Sequence, residues 1–299
     1  MALNNRTKLN LFIGLFLTAL TSLLMITGIP ILESIEEKIY DYRFNIRGKI
    51  RPPEDILIAD IDDKSIERFG RWSWNGGKVA ELIEILNTAG VKVVVFDTPF
   101  IFREYENRAA LMNVIKKYKN VIIPVLFDFS FDKKRNDAEL SLIQKNVFIH
   151  TIGQKRFDSS QSLFAKGVLM PFFGNGINLP FGHVNGLVER DGVLRKEPMI
   201  FEYNSNFYPS ITLQAVALFL NIPIDEILFT SEGINLGERF IPTDRKGRFL
   251  INYYGPGQTF RYVSISDIME KTIKPETLRG KIILIKSDLI DIKESAVTP

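Results

Sequence analysis

Between positions 55 and 127 strand-like and helix-like segments alternate, and that rhythm constrains the fold more than any other feature of the chain. Asp55–Ile61 has the pattern of a strand, Lys78–Thr88 of a helix, and Val91–Phe96 of a short strand rich in β-branched residues and buried on both faces. Ala109–Tyr118 then suits a helix and Val121–Phe127 a further strand. A β-α-β-α-β order joined by right-handed crossovers builds a parallel sheet with helices laid on it. The expected class is therefore α/β, with a mainly parallel sheet flanked by helices. Lys281–Lys286 predicts one more buried strand late in the chain.

The middle is less regular. Lys133–Leu140 is polar and suits a surface connection, while His183–Val188 and Val193–Tyr203 predict strands joined at Arg190-Asp191-Gly192. Ser210 is placed to cap an amphipathic helix running to Phe219. Short strands are expected near Ile234, at Phe240–Ile241 and over Phe249–Tyr253.

No residue from Leu9 to Leu32 is charged, with Arg6 and Lys8 before this run and Glu33 after it. At about 1.5 Å per helical residue the run spans a hydrocarbon core of roughly 30 Å. A cleaved signal peptide would have a shorter apolar region and an A-x-A-like site. The expectation is one N-terminal transmembrane helix over 9–32, preceded by a cytoplasmic 1–8 and ended near Gly28 and Pro30. Lys38, Arg43, Arg47, Lys49 and Arg51 follow it, but the positive-inside rule weakens for a large trailing domain. The main domain, 52–299, is expected outside the cell membrane. Across the intervening 33–51, Ile35, Ile39, Tyr42 and Ile46 recur on one helical face. That stripe suits either a homodimer seam or a helix lying on its own domain, and Arg51-Pro52-Pro53 ends it.

Charged residues make up 24% of the chain and apolar ones 45%, as in a globular protein rather than a disordered one. A net charge of +3, with basic residues scattered among acidic ones, gives no nucleic-acid footprint. The absence of cysteine excludes disulfides and thiolate chemistry. His150 and His183 are far apart and lack metal-like partners, and no Gly-x-Ser-x-Gly, kinase or Walker signature occurs. No catalytic residue, metal or cofactor is expected.

Acidic residues at strand ends form the sharpest chemical pattern. Asp60 and Asp62 close the first strand, Asp97 the second, and Asp288 and Asp291 follow the last. Parallel neighbours would gather them at the carboxyl edge, where open α/β sheets bind ligands and where oxygen clusters suit hard cations. Helix capping and structural ion pairs are the competing explanation. Trp72 and Trp74, the chain's only tryptophans, flank one residue in Gly70-Arg71-Trp72-Ser73-Trp74. In an extended loop they face opposite ways, so one would plug the core while the other lined a cleft, with Arg71 stacking or pairing nearby. Asn75-Gly76-Gly77 offers the next helix a cap. Asp60, Asp62, Arg71, Trp72, Trp74, Asp97 and Asp291 are the candidate ligand-binding residues.

These pieces in this order resemble the second type of CHASE domain, the sensory extracellular module associated with cyclases and histidine kinases. The resemblance covers nearly everything after Leu32. It rests on Ile58–Asp63 running into Gly70–Trp74, the strand ending at Asp97 with Phe100, and Gly182, Asn185, Asp191-Gly192-Val193, Arg195 and Pro198. It continues in Tyr208-Pro209-Ser210, Ile251–Pro256, Thr259-Phe260, Gly280–Ile285, Asp291 and Thr298-Pro299. Departures occur where the family has Trp-Pro-Trp-Pro-Arg and a later His: Ser73, Asn75, Gly76 and Val79 stand here, and Lys286 replaces a closing Gly. The resemblance implies the input module of a bacterial inner-membrane receptor, responding to a small-molecule or protein signal. Its output, an adenylate or guanylate cyclase or a sensor kinase, would lie outside this chain, which itself catalyses nothing. An anchored scaffold, or an anchored enzyme acting on a phosphorylated small molecule, is the alternative.

Overall fold

The computed structural model describes residues 4–27, 30–72, 74–97, 107–129, 150–151, 163, 165–169, 180–204, 206–230 and 232–286. Asp288, Asp291, Phe100, Lys133–Leu140 and Thr298-Pro299 lie outside these residues. The chain divides into two units, Met1–Ile50 and Arg51–Thr298.

In the first unit, helix α1 covers Asn5–Thr27 and helix α2 covers Pro30–Arg47. The single span expected over 9–32 is thus divided between two helices. Pro30, with no N–H to give, fits the first turn of the second helix rather than the interior of one long one. Among the described residues no helix is long and apolar enough to cross a membrane. Arg6 and Lys8 occupy the start of α1, and its described side chains end at Leu23. α2 matches the helix expected from the Ile35–Ile46 spacing.

In the second unit, short apolar runs build a mainly parallel seven-stranded sheet. Its strands are β1 (Ile56–Asp60), β2 (Val93–Phe96), β3 (Val121–Asp128), β5 (Gly167–Leu169), β6 (Phe181–His183), β14 (Arg261–Ser264) and β15 (Ile282–Lys286). β4 is His150–Thr151. The order is β14-β1-β15-β2-β3-β5, with β6 also on β3, and only β5 runs antiparallel. The sequence rhythm accounts for β1, β2, β3 and β15. It misses β14, a four-residue strand with Arg261 and Ser264 at its ends, too short and polar for a clear period-2 signal.

One sheet face buries Leu57, Ala59, Ile283, Ile285, Val94 and Phe96. Helices α3 (Asp63–Phe69), α4 (Gly76–Thr88), α5 (Arg108–Tyr118) and α7 (Ile265–Met269) contribute to the same core. The other face packs Val93, Val95, Ile122 and Ile282 against Ile211 and Ala215 of α6 (Ile211–Leu220). α6 turns Leu213 and Ala217 toward a second core that holds Ile227, Phe229, Ile234 and Leu236. Those four belong to β10 (Ile227–Phe229) and β11 (Gly233–Leu236), which pair antiparallel, with β12 (Arg239–Pro242) outside β11. Ser210 caps α6 as expected, accepting from the Leu213 N–H at 3.0 Å. Gly182 lets β6 meet this helix: a Cβ there would stand 2.3 Å from the Ile211 Cα.

The two strands expected over 183–188 and 193–203 come out differently. The Val184 N–H still donates to the Val125 carbonyl at 3.0 Å, and beyond it the Asn185 side chain takes the place of the ladder. Asn185 Nδ2 donates to the Phe127 carbonyl and Oδ1 accepts from the Phe127 N–H, both at 2.8 Å. The second run breaks at Met199 into β7 (Lys196–Pro198) and β8 (Ile200–Tyr203). β7 pairs with β13 (Arg248–Leu250) and β8 with β9 (Asn206–Pro209), so one run serves two partners.

Candidate functional site

The carboxyl edge of the parallel sheet does gather acidic residues, though not all those expected. Register sets Ser264 and Lys286 on either side of Asp60. Ile285 pairs with Phe96, and the Asp97 N–H continues the ladder to the Ile285 carbonyl at 3.1 Å. In-register residues of a parallel sheet share a face, so Asp60, Lys286 and Asp97 form one row of alternating charge. Their face is opposite that of Ala59, Ile285 and Phe96, and is the one α6 covers. Asp97 is solvent-accessible, yet the protein packed around it raises its carboxyl by desolvation, against the pull of Lys286.

Asp62 does not join this row. The strand ends at Asp60, and Asp62 is instead the N-cap of α3, accepting from the Ser65 N–H at 2.9 Å. The Ser65 and Ser264 hydroxyls donate to the same oxygen at 2.6 and 2.8 Å. Ser264 is itself the N-cap of α7, so one carboxylate ties together the starts of two helices. Desolvation pulls the Asp62 carboxyl upward, but these hydrogen bonds outweigh it and hold it below its ordinary value. Capping accounts for Asp62 fully. Asp291 lies outside the described residues.

The tryptophans do not face opposite ways. Gly70 adopts φ 83° and bends the chain, and the two rings meet edge to face with centroids 5.3 Å apart. Trp74 is 3% exposed, and its Nε1–H donates to the Gly70 carbonyl at 2.8 Å. Trp72 is half-buried and stacks on Phe96, while Arg71 is exposed. The expected cleft-lining tryptophan is therefore a second member of the core corner. The next helix starts as expected, with Asn75 accepting from the Lys78 N–H at 3.0 Å. A Cβ at Gly76 would lie 2.8 Å from the Asn107 carbonyl oxygen, which leaves no room for the arginine of the family pattern. Val79 is buried in the core, where the pattern's histidine would be costly.

Two residues at this end of the molecule went unrecognised in the sequence. Glu197, on β7, is pushed up to about 7 by desolvation and by the Asp97 charge, with the Thr212 hydroxyl acting the other way. Its sequence signal is a lone acid, Lys196-Glu197-Pro198, leading into the apolar run Met199–Phe201. His183 is fully buried, with both ring nitrogens unpartnered, 4.4 Å from the Phe201 ring centroid. Burial pushes it down to about 3, so it is neutral. Nothing in its sequence surroundings marks it.

Arg195 and Tyr253, two further motif residues, are pins of the fold. Arg195 is 2% exposed and forks onto Asp191 at 2.7 and 3.0 Å while reaching Glu189 at 2.8 Å. Tyr253 donates its hydroxyl proton to the Leu194 carbonyl. The family model of the CHASE2 domain matches residues 14–299. The chain belongs to the CHASE2 domain family. Neither the curated proteins nor the solved structures provide a match. CHASE2 domains are sensory extracellular modules of signal-transduction receptors, and membership gives this chain a sensory role.

Proposed function

We propose that this CHASE2 domain is the membrane-anchored, extracytoplasmic input part of a bacterial receptor whose output is a nucleotide cyclase or a sensor kinase. Membership of the family carries the sensory part of the reading. The anchor rests on the uncharged run from Leu9 to Leu32. It is supported by the exposure of Leu9, Phe12, Leu15, Phe16 and Leu23, side chains that water solvates poorly and lipid readily accepts. The signal, a small molecule or a protein, acts at the carboxyl edge marked by Asp60 and Asp97.

Transmission through a homodimer is supported by α2. Its Ile35, Ile39, Tyr42 and Ile46 are between 48% and 70% exposed, and their spacing is that of a helix pair. The test is a chimera in which the chain precedes a nucleotide cyclase catalytic domain joined through membrane helices. Cyclase output should change with the composition of the external medium, while the isolated catalytic domain stays indifferent. A chimera as indifferent as the isolated catalytic domain, under every external condition, would remove the sensory reading.

A further inference from the structure

The apolar stripe of α2 is flanked by charges that a pair of such helices leaves unbalanced. Ile35 and Tyr42 hold the d positions of a heptad and Ile39 and Ile46 the a positions, and all four are exposed. Lys38 then falls at g and Arg43 at the following e, one on each side of the stripe. Both are exposed, and among the described residues neither has an ion-pair partner. Arg47 is engaged elsewhere on the helix, over the Phe44 ring at 4.7 Å.

Two copies anchored through α1 in one membrane leave it in the same direction, so their α2 helices run parallel. In a parallel pair the g residue of one helix meets the following e residue of the other, where opposite charges ordinarily set the pairing. Here Lys38 meets Arg43, twice by symmetry, and cation faces cation. Glu36 is at the preceding e position, whose g counterpart, position 31, is an isoleucine.

We propose that anionic phospholipid headgroups supply the missing negative charge, and that their binding along the Lys38 and Arg43 flanks promotes the pairing of α2. The proposal rests on the anchored-dimer reading and makes that dimer respond to the lipid composition of the membrane.

Reach along the helix favours the membrane surface as the source of this charge. Counted from Leu32, the end of the uncharged run, Lys38 lies about 9 Å along a helix and Arg43 about 16 Å. The headgroup layer fills the first 5–8 Å or so outside the hydrocarbon, about half the difference between core and full bilayer thickness. Helical side chains lean toward the N-terminus, which for α2 is the membrane end. A lysine stem of about 6 Å therefore brings the Lys38 ammonium into that layer. Arg43, leaning the same way, stays within about one Debye length, roughly 8 Å at physiological salt, of the headgroup charges. Basic residues so close to an anionic leaflet are drawn to it.

The experiment uses the full-length chain carrying Ile39→Cys, reconstituted at one protein-to-lipid ratio. The vesicles are phosphatidylcholine alone or phosphatidylcholine with about one-third phosphatidylglycerol. The initial rate of disulfide crosslinking on mild oxidation should rise about threefold with the anionic lipid, the scale of two relieved like-charge contacts. Lys38→Glu makes each flank contact one of opposite charges. It should crosslink as fast in phosphatidylcholine as the parent does in anionic vesicles, with no further response to lipid. Lys49→Glu, the same charge change beyond the end of α2, should keep the lipid response. Inorganic phosphate added to phosphatidylcholine vesicles should not replace the lipid. Equal parent rates in both lipids, a lipid response that survives Lys38→Glu or is lost in Lys49→Glu, or replacement by phosphate would each overturn the proposal and leave the dimer standing. No crosslinking in any vesicle, Lys38→Glu included, would sink the dimer reading and the proposal with it.

Discussion

Replacement of Trp74 by alanine removes the more deeply buried of the two indoles in the corner between β1 and α4. The ring is 3% exposed, meets Phe69 and Trp72 edge to face at 5.6 and 5.3 Å, and lies 5.7 Å from the Lys78 ammonium. Truncating so large a buried aromatic costs about 3–5 kcal/mol in lost transfer energy and residual cavity. The Gly70 carbonyl also loses the indole donor, which adds about 1 kcal/mol. Trp72 is only half-buried, so Trp72→Ala should cost about 1–2 kcal/mol. Urea unfolding followed by far-ultraviolet circular dichroism measures both, because the backbone dominates that signal and the transition midpoint does not rely on the indole fluorescence that each replacement removes. The expected result is a much lower midpoint for Trp74→Ala, a smaller fall for Trp72→Ala, and slopes like the wild type's. Two losses each under about 1 kcal/mol, or a larger loss at Trp72, would refute the packed-corner account.

The chain has no cysteine, so a single introduced thiol reports dimer contacts cleanly. Ile39→Cys should crosslink to its twin on mild oxidation, whereas Glu37→Cys should do so weakly; equal yields would argue against a seam through Ile35, Ile39, Tyr42 and Ile46. His183 gives a pH dependence of known sign. It is held neutral in the fold and pushed down to about 3, so its contribution is fully present above the ordinary value of 6.5 and is lost as pH falls toward 3. His183→Leu should therefore flatten the acid side of the stability curve, worth about 1.4 kcal/mol per pH unit between those values; an unchanged curve would mean that His183 is charged or hydrated in the fold.

Much of the scaffold was legible because it is repetitive. Val93–Phe96 and the residues from Ile282 to Ile285 are unbroken apolar runs, as in a strand buried on both faces. Ser210 and Asn75 announced their helices because a hydroxyl or amide placed just before an apolar helical stripe has an obvious task. What failed depended on distant partners. Asp62 looks like a strand-end acid until Ser264, far along the chain, shows that it joins two helix caps. The tryptophans alternate in sequence, but the Gly70 bend turns both rings into one corner. Glu197 is ordinary in sequence and becomes unusual only when folding sets it near Asp97 under α6. The run from Val193 to Tyr203 could not disclose its break at Met199, because β13 and β9 are supplied by other segments.

The account as a whole requires that the domain after Glu33 be exposed outside the cell membrane. Protease added to intact spheroplasts tests this most directly, with a cytoplasmic protein followed as an internal control. The domain should be digested while the control survives, and lysis should add nothing further. Protection of the domain until the cells are lysed would reverse the topology and contradict the extracytoplasmic sensor.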